Sequence, residues 1–222
     1  MKISIPAPTD RQFTSVWVLI LMNLVPVYGI MFSGWKAFDV VIIYVLETVI
    51  IGLFNIIKMS FGTVMTSGEK DAGSKMMVHL LKLFLIPFFI FHYFFFIAIQ
   101  SLFVFTFLGD QSTVDFLEIP VTFRNLINSN TELFAAILSI FGSHSFSFLA
   151  NYIGNKEYAK VGVVTMMIQP YIRIFIQQFV VVFGIILLSI FKTPDIFVLL
   201  LVFFKIIADA FMHLRIHRKY SS

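Results

Sequence analysis

Five ionisable side chains lie inside long apolar stretches of the sequence: Glu47, His92, His144, Lys205 and Asp209. A charged side chain at the centre of a bilayer costs about 2.5–3.5 kcal/mol, so such groups normally face a partner, a cavity or a ligand. Carboxylate, imidazole and ammonium groups together can transfer protons, bind ions or hold a metal. The sequence therefore predicts a buried polar site in a membrane protein.

Glu47 and Lys205 both fall near the middle of an apolar stretch, which places them at a similar depth. One interpretation is an ion pair that holds two helices together, because removing one partner of a buried pair leaves an uncompensated charge. The other makes Glu47 an acceptor for a proton or a cation. Both interpretations stay open at this stage.

His92 and His144 lie at a depth similar to that of Glu47, on consecutive apolar stretches. Two imidazoles, one carboxylate and an open position are the ligand set of catalytic zinc and suit other divalent metals. No two of these residues share one helix turn as in H-E-x-x-H, so the metal site requires three helices to converge. Hydrogen-bonded packing of each histidine is the alternative.

Asp209 and His213 are four residues apart and therefore share one face of a helix. Such a pair can bind a metal, relay protons or orient the imidazole through the carboxylate. The metal-ligand candidates are thus His92, His144, Glu47, Asp209 and His213, with zinc as the candidate cofactor. The alternative is that Asp209 neutralises Arg173.

Further polar residues lie toward one end of the apolar stretches. Counting 1.5 Å per residue from the middle of each stretch puts Asn55, Asn151, Arg173 and Asp209 on the same side of the midplane. The sequence thus predicts a polar site that opens toward that side. Asn151 also belongs to a run of small polar residues at helical spacing, which more often packs helices together than catalyses.

The composition identifies the class of protein that must position these groups. Hydrophobic residues make up 59% of the 222 residues and charged residues 13%, against about 25% charged residues in a soluble domain. A membrane span needs about 20 mostly apolar residues. The predicted fold is an all-α polytopic membrane helical bundle, in one domain covering residues 1–222. Its six spans lie near 13–33, 37–59, 76–108, 131–152, 168–191 and 194–214.

Loop charges predict the orientation. Most loop lysines and arginines lie at the two termini and in the second-to-third and fourth-to-fifth loops, whereas the opposite loops hold Lys36, Arg124 and Lys192. The positive-inside rule then places both termini in the cytoplasm, with the plasma membrane as the expected location. Residues 109–130 form the largest outer loop, with re-entrant or surface-helix character expected around 119–127.

Several classes of function are excluded or disfavoured. The chain has no cysteine, which excludes disulfides, thiolate nucleophiles and cysteine-ligated metals. Its net charge of +4 comes from basic residues scattered over short loops, so nucleic acid is not an expected partner. The expected partners are the lipid bilayer and a small solute, an ion or a lipid; an oligomer is compatible with the pattern.

The chain resembles a family of small bacterial and archaeal integral-membrane proteins known only as a domain of unknown function. The resemblance rests on NLVPVYGIMFSGW (23–35), YVLETVIIGLFNIIKM (44–59), FFIFHYFFF (88–96), SHSFSFLANYIGNKEY (143–158), QPYIRIF (169–175) and KIIADAFMHLR (205–215). It implies that nine residues occupy motif positions of that family, namely Glu47, Asn55, His92, His144, Asn151, Arg173, Lys205, Asp209 and His213. It implies no activity.

The chain is also similar, more distantly, to membrane zinc hydrolases of the ceramidase and receptor-like type. The similarity rests on Glu47 with Asn55, on His144, and on Asp209 with His213. The spacing departs from the pattern of those enzymes, and six predicted spans fall short of seven, so their activity is not carried over.

Three functions are therefore expected from the sequence. The first is transport of protons, ions or a small solute through a site formed by Glu47, His92, His144 and Lys205. The second is a membrane-embedded metal-dependent enzyme of the lipid-hydrolase type. The third is a non-catalytic interaction protein whose buried charges hold its helices together. Whether the chain is an enzyme stays open.

Overall fold

The structure is a computed structural model that describes residues 35–65, 75–109, 114–191 and 203. Residues Phe38–Gln178 form one compact unit. The second unit comprises Met1–Ala37 and Phe179–Ser222. Its described part is chiefly helical, and within it the rings of Phe179 and Phe183 stack with centroids 6.1 Å apart. All residues discussed below as a site belong to the first unit.

The described residues are helical and contain no strand, so the predicted all-α class is confirmed. The α-helices within these residues are α1 (Ala37–Phe61), α2 (Lys75–Leu108), α3 (Ile119–Ser129), α4 (Thr131–Ser147) and α5 (Val163–Phe191). Short turns of other helix types lie at Phe116–Glu118, Phe148–Ile153 and Glu157–Ala159. These turns connect the α-helices.

Within the described residues, four helical segments are long and apolar enough to cross a membrane. They are Phe38–Phe61, Met76–Leu108, Thr131–Ile153 and Val163–Phe183. They correspond to the second, third, fourth and fifth predicted spans. The first predicted span, and the sixth apart from residue 203, lie outside the described residues, so the number of six and the cytoplasmic location of the termini stay predictions.

The helix boundaries follow local chemistry. Asn130 caps α4 because its side-chain oxygen accepts a hydrogen bond from the backbone N–H of Leu133, at 3.0 Å. At the other end, α4 widens into the π-helical turn Phe148–Ile153, so the helical segment reaches the predicted end of the fourth span. The fifth span begins at Val163, five residues before its predicted start. The difference arises because the Val163 N–H donates to the Val64 carbonyl, 3.0 Å away, which anchors the first turn.

Helix α2 is longer than a bilayer core is thick. Its 34 residues correspond to about 51 Å at 1.5 Å per residue, and it runs through Pro87 as one helix. A hydrocarbon core is about 30 Å thick, so α2 must tilt or extend beyond it. The sequence predicted an overlong third span on the same arithmetic.

Helices α1 and α2 pack side by side in opposite directions. Near the C-terminal end of α1, the Lys82 ammonium donates to the Ser60 carbonyl at 2.8 Å. Near its N-terminal end, the Phe38 and Phe105 rings lie 5.8 Å apart. Between them Gly52 faces Tyr93, and a Cβ at Gly52 would lie 2.5 Å from Cε1 of that ring. The missing side chain of Gly52 therefore makes the space that Tyr93 fills.

The segment between α4 and α5 fixes α5 against α1. The Thr63 N–H donates to the Tyr158 carbonyl at 2.9 Å, and the Tyr152 hydroxyl donates to the Lys58 carbonyl at 2.5 Å. The Lys58 ammonium also lies 5.7 Å from the centre of the Tyr152 ring, within cation–π range. These contacts join the C-terminal end of α1 to the start of α5.

The segment leading into α3 folds back along α2. Phe116 contacts Phe95 with ring centroids 6.1 Å apart, and Phe123 contacts Phe105 at 5.1 Å. Ten residues of helix separate Phe95 from Phe105, which is about 15 Å along the axis. After α2 ends, the chain thus runs back beside α2 to the level of Phe95 before α3 begins. The helix predicted around 119–127 is present as α3.

Gly52→Ala tests whether the contact with Tyr93 sets the spacing of α1 and α2. The new methyl group would overlap a ring that is fully buried, and overpacking typically costs about 1–3 kcal/mol. Gly142→Ala in α4 is the matched control, because a Cβ there meets nothing within 4 Å. In a helix that substitution stabilises by about 0.5–1 kcal/mol.

Thermal unfolding in detergent, followed by circular dichroism, measures both variants. The expected result is a lower unfolding temperature for Gly52→Ala and an unchanged or higher one for Gly142→Ala. Equal stabilisation of both variants would show that Tyr93 does not constrain the helix spacing.

Candidate functional site

An ion pair joins α1 to α5 in the interior of the first unit. Nη2 of Arg173 lies 2.5 Å from Oε2 of Glu47, and the two side chains are only 18% and 17% exposed. Glu47 is the eleventh residue of the 25-residue α1, close to its middle. The pair balances a negative charge on one apolar helix with a positive charge on another. Their attraction offsets part of the cost of taking either charge out of water.

A second polar contact between the same helices lies one residue further along α1. Oγ1 of Thr48 is 2.7 Å from Oε1 of Gln177 and 2.8 Å from the Tyr44 carbonyl. The hydroxyl has one proton and can donate to only one of these oxygens. If the Gln177 amide is turned over, its Nε2 donates to Thr48 and the hydroxyl donates to the Tyr44 carbonyl. This arrangement satisfies the threonine completely.

Helix α2 contacts the same part of α1 and α5 through Tyr93. Its ring is fully buried, and its hydroxyl donates to the Thr48 carbonyl at 3.1 Å. The ring stacks on Phe89 at 4.7 Å and meets Tyr171 of α5 edge-on at 5.7 Å. Tyr93 therefore touches both neighbouring helices beside the ion pair.

His92 is held by aromatic rings and one hydrogen bond. Its Nδ1 lies 3.1 Å from the Tyr171 hydroxyl, and the tautomer decides which group donates. Its ring stacks on Phe88 at 5.2 Å and meets Phe96 edge-on at 5.0 Å. This contact links α2 to α5 on the turn next to Arg173. We call the set formed by the following seven residues the polar layer: Glu47, Thr48, His92, Tyr93, Tyr171, Arg173 and Gln177.

Three glutamines at or beside the polar layer have buried polar atoms without hydrogen-bond partners. They are Gln100, with both amide atoms, Gln177 with Nε2 and Gln178 with Oε1. Gln100 is fully buried. An unsatisfied buried polar group costs about 1–3 kcal/mol, so such groups require an explanation.

The remaining predicted site residues in the described part of the chain lie apart from the polar layer. Asn55 is buried and donates from Nδ2 to Sδ of Met59, at 3.7 Å. Asn151 is exposed and donates to the Ser147 hydroxyl at 3.2 Å. The His144 ring lies 6.2 Å from the Phe54 ring. Each of these residues contacts a residue of its own helix or of α1.

The described residues contain no group of three or more His, Asp or Glu side chains that could hold a metal ion. The structure therefore does not bring His92, His144 and Glu47 together as a ligand set. Lys205, Asp209 and His213 lie outside the described residues. A zinc site that includes Asp209 and His213 stays a prediction, as do the pairs Glu47–Lys205 and Arg173–Asp209.

The depth estimate placed Arg173 nearer the cytoplasm than Glu47, but the two side chains meet. Each side chain is long enough to cover part of an axial offset, which an estimate from backbone positions ignores. Sequence reasoning also missed Thr48, Tyr93, Tyr171 and Gln177. Spacing gave no signal for Thr48 or Tyr93, because each directly follows a predicted residue and so points about 100° away from it on a helix.

A double-mutant cycle on Glu47 and Arg173 tests whether the pair is the main polar link between α1 and α5. Glu47→Gln alone and Arg173→Gln alone each leave one buried charge without its partner, which typically costs about 3–5 kcal/mol. The double variant leaves neither charge, so it is expected to be more stable than either single variant. Urea unfolding of the purified protein in mild detergent measures the four free energies.

Glu132→Gln is the control for loss of a carboxylate, because Glu132 is exposed in the first turn of α4. It is expected to leave stability nearly unchanged. Additive effects of the two single substitutions would contradict a direct energetic coupling between Glu47 and Arg173.

Comparison with family models matches residues 6–222 to a family of unknown function (DUF6498). No curated protein and no solved structure matches the chain. The similarity to membrane zinc hydrolases therefore gains no support, and the activity has to be argued from the residues themselves.

Proposed function

Because the chain belongs to this family of unknown function, we propose its function from the polar layer: an integral membrane protein that transports protons, ions or a small solute, with Glu47 as the acceptor. The observation that carries the proposal is the Glu47–Arg173 pair, which lies within two helices that are long and apolar enough to cross a membrane. Charged residues in such segments commonly mark ion or proton pathways.

The ion pair supplies a switch between two states. When a proton or a cation neutralises Glu47, Arg173 loses the charge that balances it. A buried arginine without a partner is strongly unfavourable, so its side chain must move toward water or toward another acceptor. Occupation of Glu47 is thereby coupled to a change in the contact between α1 and α5, which is the requirement for coupled transport.

His92 and Tyr171 extend the site by two groups that exchange protons. Their hydrogen bond joins α2 to α5 two residues before Arg173 in the sequence. An imidazole can accept a proton on one nitrogen and release it from the other. In this proposal the His92 side chain, which lies on α2, passes protons to and from the ion pair. Lys205 and Asp209, which lie outside the described residues, complete the predicted midplane site and its inner vestibule.

The proposal places the protein in the plasma membrane with both termini in the cytoplasm. The support for this orientation is the distribution of lysines and arginines among the loops. The site then opens toward the cytoplasm, as the positions of Asn55 and Arg173 in the sequence predict. The bilayer and a small ion or solute are its proposed partners.

A structural role is the rival interpretation, and one observation favours it. The Glu47–Arg173 pair is internally neutral and already joins two helices, which is sufficient to account for both charges. In that case the protein is a non-catalytic membrane interaction protein, and its polar layer only sets the arrangement of the helices. The metal-dependent lipid hydrolase stays a prediction that depends on Asp209 and His213.

Ion flux in proteoliposomes separates transport from a structural role. Purified protein is reconstituted with a pH-sensitive dye inside the vesicles, and proton and cation gradients are applied in turn. Glu47→Gln is expected to abolish the flux because it removes the acceptor. Glu47→Asp keeps a carboxylate and is expected to retain part of it, while Glu132→Gln is expected to leave it unchanged.

The exchange variant E47R/R173E resolves the two interpretations. It keeps one charge of each sign between α1 and α5, so it is expected to recover stability relative to either single substitution. Transport requires the carboxylate on α1, so the exchange should not recover flux. Undiminished flux in folded Glu47→Gln would overturn the proposal.

A further inference from the structure

Gln100 has a buried polar group that the ion pair does not explain. Its side chain is fully buried, and neither Nε2 nor Oε1 has a hydrogen-bond partner among the protein atoms. In this orientation the two N–H groups have no acceptor and the carbonyl oxygen has no donor.

The neighbouring residue shows that lack of a partner is not a general property of the buried polar side chains in this part of α2. Ser101 is also fully buried, but its hydroxyl donates to the Ile97 carbonyl one turn earlier, at 2.7 Å. A glutamine side chain is too long to bond its own helix in this way without folding back. Gln100 therefore needs a partner from outside α2.

The helix contacts place Gln100 close to the other unsatisfied amides. Phe38 faces Phe105 and Gly52 faces Tyr93, so the residue of α1 at the level of Gln100 is Tyr44 or its neighbour. On α5, Gln177 meets Thr48, four residues from Tyr44. Four residues correspond to about 6 Å along a helix axis, so the levels of Gln100 and of the two glutamines of α5 differ by about one helical turn.

Gln177 adds a buried Nε2 that has no partner, while its Oε1 lies 2.7 Å from the Thr48 hydroxyl. Gln178 adds a buried Oε1 that also has no partner. The level of Gln100 thus offers both hydrogen-bond donors and acceptors.

We propose that Gln100, together with Gln177 and Gln178, binds a small cluster of internal water molecules beside the Glu47–Arg173 pair. The ligand must be neutral, because the ion pair is already balanced and an added bare charge would be uncompensated in an apolar interior. It must both donate and accept hydrogen bonds, since the amides offer both. Water satisfies these conditions, and buried waters typically make about three hydrogen bonds to otherwise unsatisfied groups.

The site is closed to the other sources of hydrogen bonds. Gln100 is fully buried, so neither a lipid headgroup nor a second copy of the chain reaches its amide. The water cluster does not depend on the proposed transport function. If transport also holds, the cluster supplies the hydrated space next to Glu47 through which a proton passes.

Two measurements test the water cluster without measuring flux. The first is X-ray hydroxyl-radical footprinting of the full chain in detergent, in which bound water labels buried side chains next to it. Tyr44, at the level of Gln100, is the reporter, and Tyr152 is its matched control, since both are buried tyrosines. We expect Tyr44 to be labelled several-fold faster than Tyr152, and this excess to disappear in Gln100→Leu.

The second measurement is the unfolding temperature of Gln100→Leu. Loss of a hydrogen bond to water lowers it by about 2–4 °C in a chain of this size. A dry, unsatisfied amide gives the opposite sign, because leucine removes its cost. Ser101→Ala is the control and should change neither the unfolding temperature nor the labelling. Equal labelling of Tyr44 and Tyr152 would overturn the proposal even if Gln100→Leu failed to fold.

Discussion

The neutralisation of Glu47 by Arg173 is the constraint on which the arrangement of the interior depends. An acidic and a basic side chain on two apolar helices must meet, or each must find water. Their contact fixes which face of α5 is directed at α1. It also brings Gln177, one helical turn beyond Arg173, to Thr48. The second polar contact between these helices thus follows from the first.

The aromatic residues of α2 determine the environment of this polar layer. Phe88 and Phe96 enclose the His92 ring, and Tyr171 accepts or donates its hydrogen bond. A histidine held in this way is oriented without any metal ligand. The phenylalanines around it serve as packing, as expected for a chain with 29 of them. The two histidines predicted to share a site have separate surroundings, because His144 lies beside Phe54, seven residues or about 10 Å along α1 from Glu47.

The sequence predicts the bounds of the helices better than it predicts which side chains contact one another. Helices α1 and α2 begin and end within two residues of their predicted bounds, because long apolar runs and charged breaks define them. The start of α5 was missed by five residues because a hydrogen bond to Val64 decides it. The partner of Arg173 depends on the register and rotation of two helices, which no local pattern encodes. Gln100 was recognisable only as one polar residue among apolar ones, and its lack of a partner emerges from the packing.

The close fit of Gly52 and Tyr93 has a mechanical consequence. The Tyr93 ring of α2 packs against Gly52 of α1, and its hydroxyl donates a hydrogen bond to α1. Together these contacts oppose sliding of α1 along α2. Shear between packed helices requires side chains to pass one another by small steps, and a buried tyrosine ring allows no such step. Sliding of α1 along α2 is therefore hindered at this contact. Helix α5, by contrast, meets α1 and α2 in the polar layer through an ion pair and single hydrogen bonds, which can be exchanged one at a time.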